Sequence, residues 1–249
     1  VNKAGKDYHL DAGDTVAQSA GADLDADGKL PVNDDMDGDT RDATQPDIGA
    51  DEYTGSCSYA YKRAITIDHN EVIGDSGDTV DLIDFPVVIK ESGTWLRNSG
   101  YTDGRIENVN GYDIIFKDST ETQTLAHEIE YYYEGSEAAN GELVAWVKIP
   151  TLDADANTVI YMYYGNSCIA NNTENPEGVW VNYAGVWHLK ETPTVDAYAY
   201  DSTSNDNDCS FGSEVTSDDQ VSGRIAGGLD FDDTSSNDRI STSDDTSLG

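Results

Sequence analysis

The chain has 249 residues, with 49 Asp plus Glu against 14 Lys plus Arg and a formal charge of −35. Such an acidic surface argues against nucleic acid, whose phosphates need basic partners, and against anionic lipid headgroups; no apolar run of about 18 residues offers a membrane span, so membrane insertion is not expected. The 15 Tyr and 4 Trp argue against a wholly disordered chain.

Residues 1–53 come first and are rich in Asp and Gly. Within them Asp23, Asp25 and Asp27 occupy the first, third and fifth positions of an EF-hand-type loop. Gly28 stands where that loop turns sharply, the Lys29 carbonyl at the seventh position and Asp34 at the twelfth, so hard oxygens surround one point as Ca2+ requires. Asp35, Asp37 and Asp39 form a second, shorter cluster with the same expectation. High salt or bound divalent cations would also offset the self-repulsion of the whole chain.

Residues 57–166 then carry repeated strand patterns. Tyr61–Ile67, Asp84–Lys90, Asp113–Lys117, Glu128–Tyr133, Leu143–Ile149 and Thr158–Tyr164 are β-branched or aromatic runs bounded by Gly, Asn, Asp and Pro. Pro86 sits at the entry of one run, and Pro150 is expected to end another. Many short strands without a sustained helical period predict an all-β fold, a β-sandwich of jelly-roll type. An Asn-rich connector over 167–184 leads to short apolar runs between Asp, Ser and Asn loops in 185–249. Val1 at the start and Gly249 in mid-pattern are what a piece of a longer chain would show.

Three chemical readings attach to these strands. Glu128 and Glu130 share a strand face at about 6.5–7 Å, a spacing that suits the two carboxylates of glycoside hydrolysis. His127 could orient one of them. Alternation alone, however, puts both glutamates on a solvated polar face with Ile129 inward, and a lone histidine on the surface. The expectation is therefore that the pair is not catalytic. Trp95, Tyr101, Tyr112, Tyr131 and Tyr133 are candidates for stacking on sugar rings, whereas Trp146 and Trp187 sit in apolar runs and are expected to pack in cores. Cys57 and Cys168 bracket the middle segment and are expected to form a disulfide, leaving Cys209 spare.

Several motifs carry family resemblances. Tyr61-Lys62-Arg63, Asp84-Phe85-Pro86-Val87, Gly111-Tyr112-Asp113-Ile114-Ile115-Phe116, His127-Glu128-Ile129-Glu130, Trp146-Val147-Lys148-Ile149-Pro150 and Tyr163-Tyr164-Gly165-Asn166 resemble, in order, the domain of unknown function 2341. That resemblance implies a module of a large secreted protein and no particular chemistry. Glu128-Ile129-Glu130 is also similar to the catalytic strand of jelly-roll glucanases, but Tyr132 stands where their third carboxylate would be. Gly185-Val186-Trp187-His188-Leu189, Gly227-Gly228-Leu229-Asp230-Phe231 and Arg239-Ile240-Ser241 resemble the first half of a laminin-G or concanavalin-A-like domain. Half such a domain leaves unpaired edges, which implies weak order alone or self-association. Leu10-Asp11-Ala12-Gly13 and Asp47-Ile48-Gly49-Ala50-Asp51-Glu52-Tyr53 resemble the C-terminal end of a secreted right-handed parallel β-helix.

The organisation expected is a β-helix tail with a calcium-type loop (1–53), a β-sandwich (54–184) and an incomplete jelly roll (185–249). The function expected is extracellular or cell-surface adhesion to a polysaccharide, with structural Ca2+. The alternatives are a hydrolase acting on a polysaccharide or ester, and a structural subunit of a filament or surface layer.

Overall fold

β-Branched and aromatic residues at every second position favour a pleated strand with one buried face. The computed structural model describes residues 58–72, 80–194, 196, 198–231 and 238–242 and places strands where that pattern recurs. These are β1 (Tyr61–Ile67), β2 (Leu82–Gly93), β3 (Ile115–Lys117), β4 (Thr124–Leu125), β5 (His127–Tyr133), β6 (Gly141–Leu152) and β7 (Thr158–Tyr164). They form two antiparallel sheets ordered β1-β7-β3-β4 and β2-β6-β5. The one-turn helix α1 (Pro176–Val179) follows, then β8 (Tyr198–Ala199), β9 (Cys209–Phe211), β10 (Gln220–Ser222), β11 (Gly227–Leu229) and β12 (Ile240–Ser241). The last five strands make a three-stranded sheet ordered β12-β9-β8 and a β10-β11 hairpin. The protein is thus an all-β sandwich, as its strand pattern predicts.

The chain divides into two compact units, residues 1–59 with 166–170 and residues 60–165 with 171–249. In the first, Cys168 is disulfide-bonded and its N–H donates to Asn166 Oδ1 at 3.1 Å. Its expected partner Cys57 lies outside the described residues. So do the expected calcium ligands Asp23, Asp25, Asp27, Lys29, Asp34, Asp35, Asp37 and Asp39, and the β-helix-like segment. Cys209, in the second unit, is a buried free thiol.

The core of the second unit lies between its two large sheets. Ile160, Met162 and Tyr164 of β7 share it with Leu143, Ala145, Val147 and Ile149 of β6, none more than 3% exposed. Ile89, Leu96, Ile106, Ile114, Phe116, Leu125 and Leu152 complete it. Each Val, Leu, Ile, Met or Phe side chain among them contributes about 1.5–3 kcal/mol by leaving water. His127 belongs to this core too, a correction to its expected surface position. It is 1% exposed, lies edge-on to Phe116 at 5.5 Å, and its Nε2 has no hydrogen-bond partner. It is the first inward residue of a strand whose alternation starts one position earlier than the Glu128–Tyr133 run suggests.

Two local features explain how the strands hold register. β6 runs through Pro150 instead of ending there. Ile149 pairs with Phe85 and Thr151 with Ile83, so Pro150 falls opposite Asp84 at a break in the ladder, where Asp84 has φ 51°. The missing proline N–H costs no bond at such a break. At the far end of the sandwich, the buried Asp113 carboxylate accepts N–H groups from Glu107 (2.9 Å), Asn108 (3.0 Å) and Gly165 (3.0 Å). It ties the 107–113 loop to the exit of β7. Gly165 has φ 77°, and a Cβ there would lie 2.7 Å from the Tyr61 ring, so this position needs glycine.

Candidate functional site

The site begins with an irregularity in β5. Glu128 opposes Trp146 and Ile129 opposes Ala145, but the next pair is Tyr131 with Val144, so Glu130 is the extra residue of a β-bulge. Ile129 packs against the sandwich core as alternation requires. The expected solvated face is not found: Glu128 is 4% and Glu130 7% exposed. The reason is that residues after β7 return to cover this face.

Two anchors position that cover. The side chain of Asn175 caps α1 by accepting the Gly178 N–H at 3.0 Å, and the Asn175 N–H donates to the His127 carbonyl at 2.9 Å. Helix and β5 are thereby joined, and Trp180, just past α1, is laid over Glu128. The second anchor is Asp201, 9% exposed. It accepts N–H groups from Val186 (2.8 Å), Thr203 (3.0 Å) and Asn207 (3.0 Å) and the Thr203 hydroxyl (2.8 Å). A Trp187–Asp201 bridge continues that contact, and Leu189 at φ 56° turns the chain immediately after His188.

His188 is consequently held between the two glutamates. Its Nε2 lies 3.0 Å from Glu128 Oε2, and its Nδ1 lies 2.5 Å from Glu130 Oε2. Glu128 also accepts from Trp180 Nε1 at 2.6 Å and from Ser202 Oγ at 2.8 Å. Glu130 accepts from Trp146 Nε1 at 3.1 Å. The Trp146 and Trp180 rings flank the imidazole at centroid distances of 6.1 and 5.7 Å. Burial works against a charged ring, but the hydrogen bonds and charges of Glu128 and Glu130 outweigh it and push the His188 pKa up to about 9. Burial also opposes ionisation of Glu128, yet the bond and charge from His188, then Trp180 and Ser202, hold its carboxyl below the usual range. The centre is a carboxylate–imidazolium–carboxylate triad roofed by two indoles.

Two clefts open beside it. One, of about 540 Å³, is lined by Trp146, Trp180, Tyr183, Trp187, His188 and Arg224 among others. The other, of about 870 Å³, lies between Lys90, Tyr131, Glu142 and Val144 on one side and Lys190, Val221 and Ser222 on the other. Glu130, Ile225, Ala226 and Gly227 line both. Both polar contacts of Glu130 use Oε2. Glu174 is a carboxyl whose pKa is raised, first by burial. It accepts the Ile129 N–H at 2.6 Å and lines neither cleft.

The residues expected from sequence are distributed unevenly around this centre. Glu128 and Glu130 form it. His127 faces the sandwich core on the other side of β5. Tyr131, 43% exposed, lines the larger cleft, while Tyr133, Tyr101 and Tyr112 line neither. Trp95 packs on Tyr164 at 5.1 Å with the Arg63 guanidinium 4.8 Å over its ring. Trp146 and Trp187, expected inside cores, are half-buried on a cleft wall. His188, Trp180, Ser202 and Tyr183 were not expected at all. Position is their sequence signal: Trp180 and Tyr183 lie in the connector, His188 in the Gly185–Leu189 run and Ser202 in a loop of the 185–249 segment. Among the described residues no group of three or more His, Cys, Asp or Glu side chains could hold a metal ion, and no helix is long and apolar enough to cross a membrane.

Residues 110–209 match the family model described as domain of unknown function DUF2341. The match takes in β3 to β8, the bulge, Trp146, Trp180 and His188, and ends at the first residue of β9. No curated protein and no solved structure matches the chain.

Proposed function

We propose that this is a non-catalytic carbohydrate-contacting module of an extracellular or cell-surface protein, with calcium as a structural ion in its N-terminal segment. The observation that carries the reading is the 540 Å³ cleft walled by Trp146, Trp180, Tyr183 and Trp187. Flat aromatic faces bury the C–H faces of pyranose rings, and a few convergent polar groups fix their orientation. Glu130, His188 and Arg224 provide those groups at the same wall. The reading is tested by titrating oligosaccharides against intrinsic tryptophan fluorescence, with and without calcium. A bound glycan should shift emission, and Tyr183→Ala should weaken binding about tenfold, near the upper range for a stacked ring contact. No response to any glycan in a broad panel would refute it.

A polysaccharide hydrolase is the second reading, and Glu130 at the junction of both clefts is what favours it. Against it, Glu128 already accepts from His188, Trp180 and Ser202, and the carboxyl with a raised pKa, Glu174, is outside the clefts. A retaining or inverting pair needs one protonated and one ionised carboxyl flanking the bond. Hydrolysis of any polysaccharide that fell at least about a hundredfold in Glu130→Gln, with melting unchanged, would favour this reading over the first.

A further inference from the structure

Resting on the carbohydrate reading, the charge of the clefts narrows the ligand class. The two clefts share Glu130 and the Ile225–Gly227 strip, so they form one groove with an aromatic end and a polar end. Besides His188, three basic side chains line it, Lys90, Lys190 and Arg224. In this chain acids outnumber bases 49 to 14, and among the described residues Lys62 pairs with Glu121 at 2.8 Å, Arg63 with Glu91 at 3.8 Å and Lys190 with Glu128 at 3.9 Å. Lys90 and Arg224 have no ion-pair or hydrogen-bond partner for their side chains among the described residues. Lys190 reaches only the Ile129 carbonyl at 3.5 Å and Glu128 Oε1 at 3.9 Å, the latter already bonded to Ser202.

The carboxylates of the groove are in the opposite state. Glu91 lies 3.8 Å from Arg63, and Glu130 is bound to His188. Among the described residues Glu142 lacks a cation, as Lys90 and Arg224 lack a carboxylate, so the groove keeps two unpaired cations against one unpaired carboxylate inside a chain of charge −35. Repulsion from the rest of the surface decays over roughly 8 Å at physiological ionic strength, whereas a bound anion would sit in direct contact with the groove cations.

We infer that the groove binds an anionic glycan, with sugar rings stacked at its aromatic end and a carboxylate or sulfate ester held by Lys90, Lys190 and Arg224. The experiment titrates the full chain with oligogalacturonate, a sulfated galactan oligosaccharide, cellohexaose and laminarihexaose. At least one acidic probe should bind about tenfold more tightly than both neutral ones, and its preference over the other reports which anion is read. Lys90→Gln and Arg224→Gln, both exposed positions, should each weaken the acidic probe about three- to tenfold, a larger loss than either causes for a neutral probe. Neutral probes binding as tightly as the acidic ones, or acidic binding indifferent to both substitutions, would overturn the inference while leaving the carbohydrate reading intact. Absence of binding by all four would overturn the inference, and silence across the broad glycan panel would remove the carbohydrate reading with it.

Discussion

The His188 ring meets Glu128 across 60 residues of chain, Nε2 to Oε2 at 3.0 Å, and with its other nitrogen it meets Glu130. With Trp180 and Ser202, which also bond Glu128, this contact fastens residues after α1 to the sandwich. Its weight comes from desolvation. Two carboxylates at 4% and 7% exposure are tolerable only while a cation and several donors face them.

Removing the ring should therefore cost more than removing any surface ion pair. His188→Ala leaves two buried, uncompensated carboxylates, and breaking such a cluster typically costs about 3–5 kcal/mol. Glu128→Gln combined with His188→Gln removes charges of both signs and should recover part of that loss. Denaturant unfolding of the three proteins measures it. A single-variant loss below about 1 kcal/mol, the scale of an exposed pair, would mean that the triad is more hydrated than its burial indicates.

The disulfide is tested by chemistry. Cys168 is bonded and Cys209 is a buried free thiol. Non-reducing peptide mapping should therefore yield one cross-linked pair containing Cys57 and Cys168, with Cys209 alkylated only after unfolding. Reduction should lower the melting temperature, since closing a loop of this length contributes up to about 4.7 kcal/mol in the chain-entropy model. A pair containing Cys209 would overturn the assignment.

The strands were legible in the sequence because each is a local pattern, and β1 and β7 fall where alternation puts them. The site was legible only in part, because covering is not local. Nothing within Glu128-Ile129-Glu130 says that residues some 50 to 75 positions later will roof it. The bulge at Glu130 was equally hidden, since it shows only against the partner strand. Alternation took Ile129 inward correctly. It failed for the glutamates because the reading assumed water on the other face of the sheet.

Calcium should raise the melting temperature of the intact chain, and chelator should lower it. The spacing of Asp23, Asp25, Asp27 and Asp34 motivates this. A ligand bound only by the folded state stabilises it by about 2.7 kcal/mol at a hundred times Kd. Asp27→Ala should abolish the calcium response while leaving glycan binding by the groove in place. Identical melting with calcium, with chelator and in Asp27→Ala would remove calcium from the account.

The last prediction concerns pH, where two buried histidines act in opposite directions. Burial holds His127 down to about 4 from its ordinary 6.5. As pH falls through 6.5 the unfolded chain takes up a proton that the folded chain refuses until about 4. Stability is therefore full above 6.5 and is lost across that window. For His188, burial is outweighed by Glu128 and Glu130, and the pKa rises to about 9. The folded chain keeps its proton where the unfolded chain has released it. That contribution is full below 6.5 and is lost as pH rises through 9. Each limb is on the order of 3 kcal/mol, at about 1.4 kcal/mol per unit of displacement. Glu128, held below its usual range, adds to the acid limb as pH drops through the carboxylate range. Stability should accordingly peak near pH 6.5 and fall on both sides. His127→Phe should flatten the acid limb between 4 and 6.5 and leave the alkaline limb alone. His188→Gln should remove the loss between 6.5 and 9 from an already weakened protein. Urea unfolding at half-unit steps from pH 4 to 10 would measure both limbs. A plateau from 5 to 9 in the wild type, or a His127→Phe curve with its acid limb unchanged, would show that these rings are not the groups that set it.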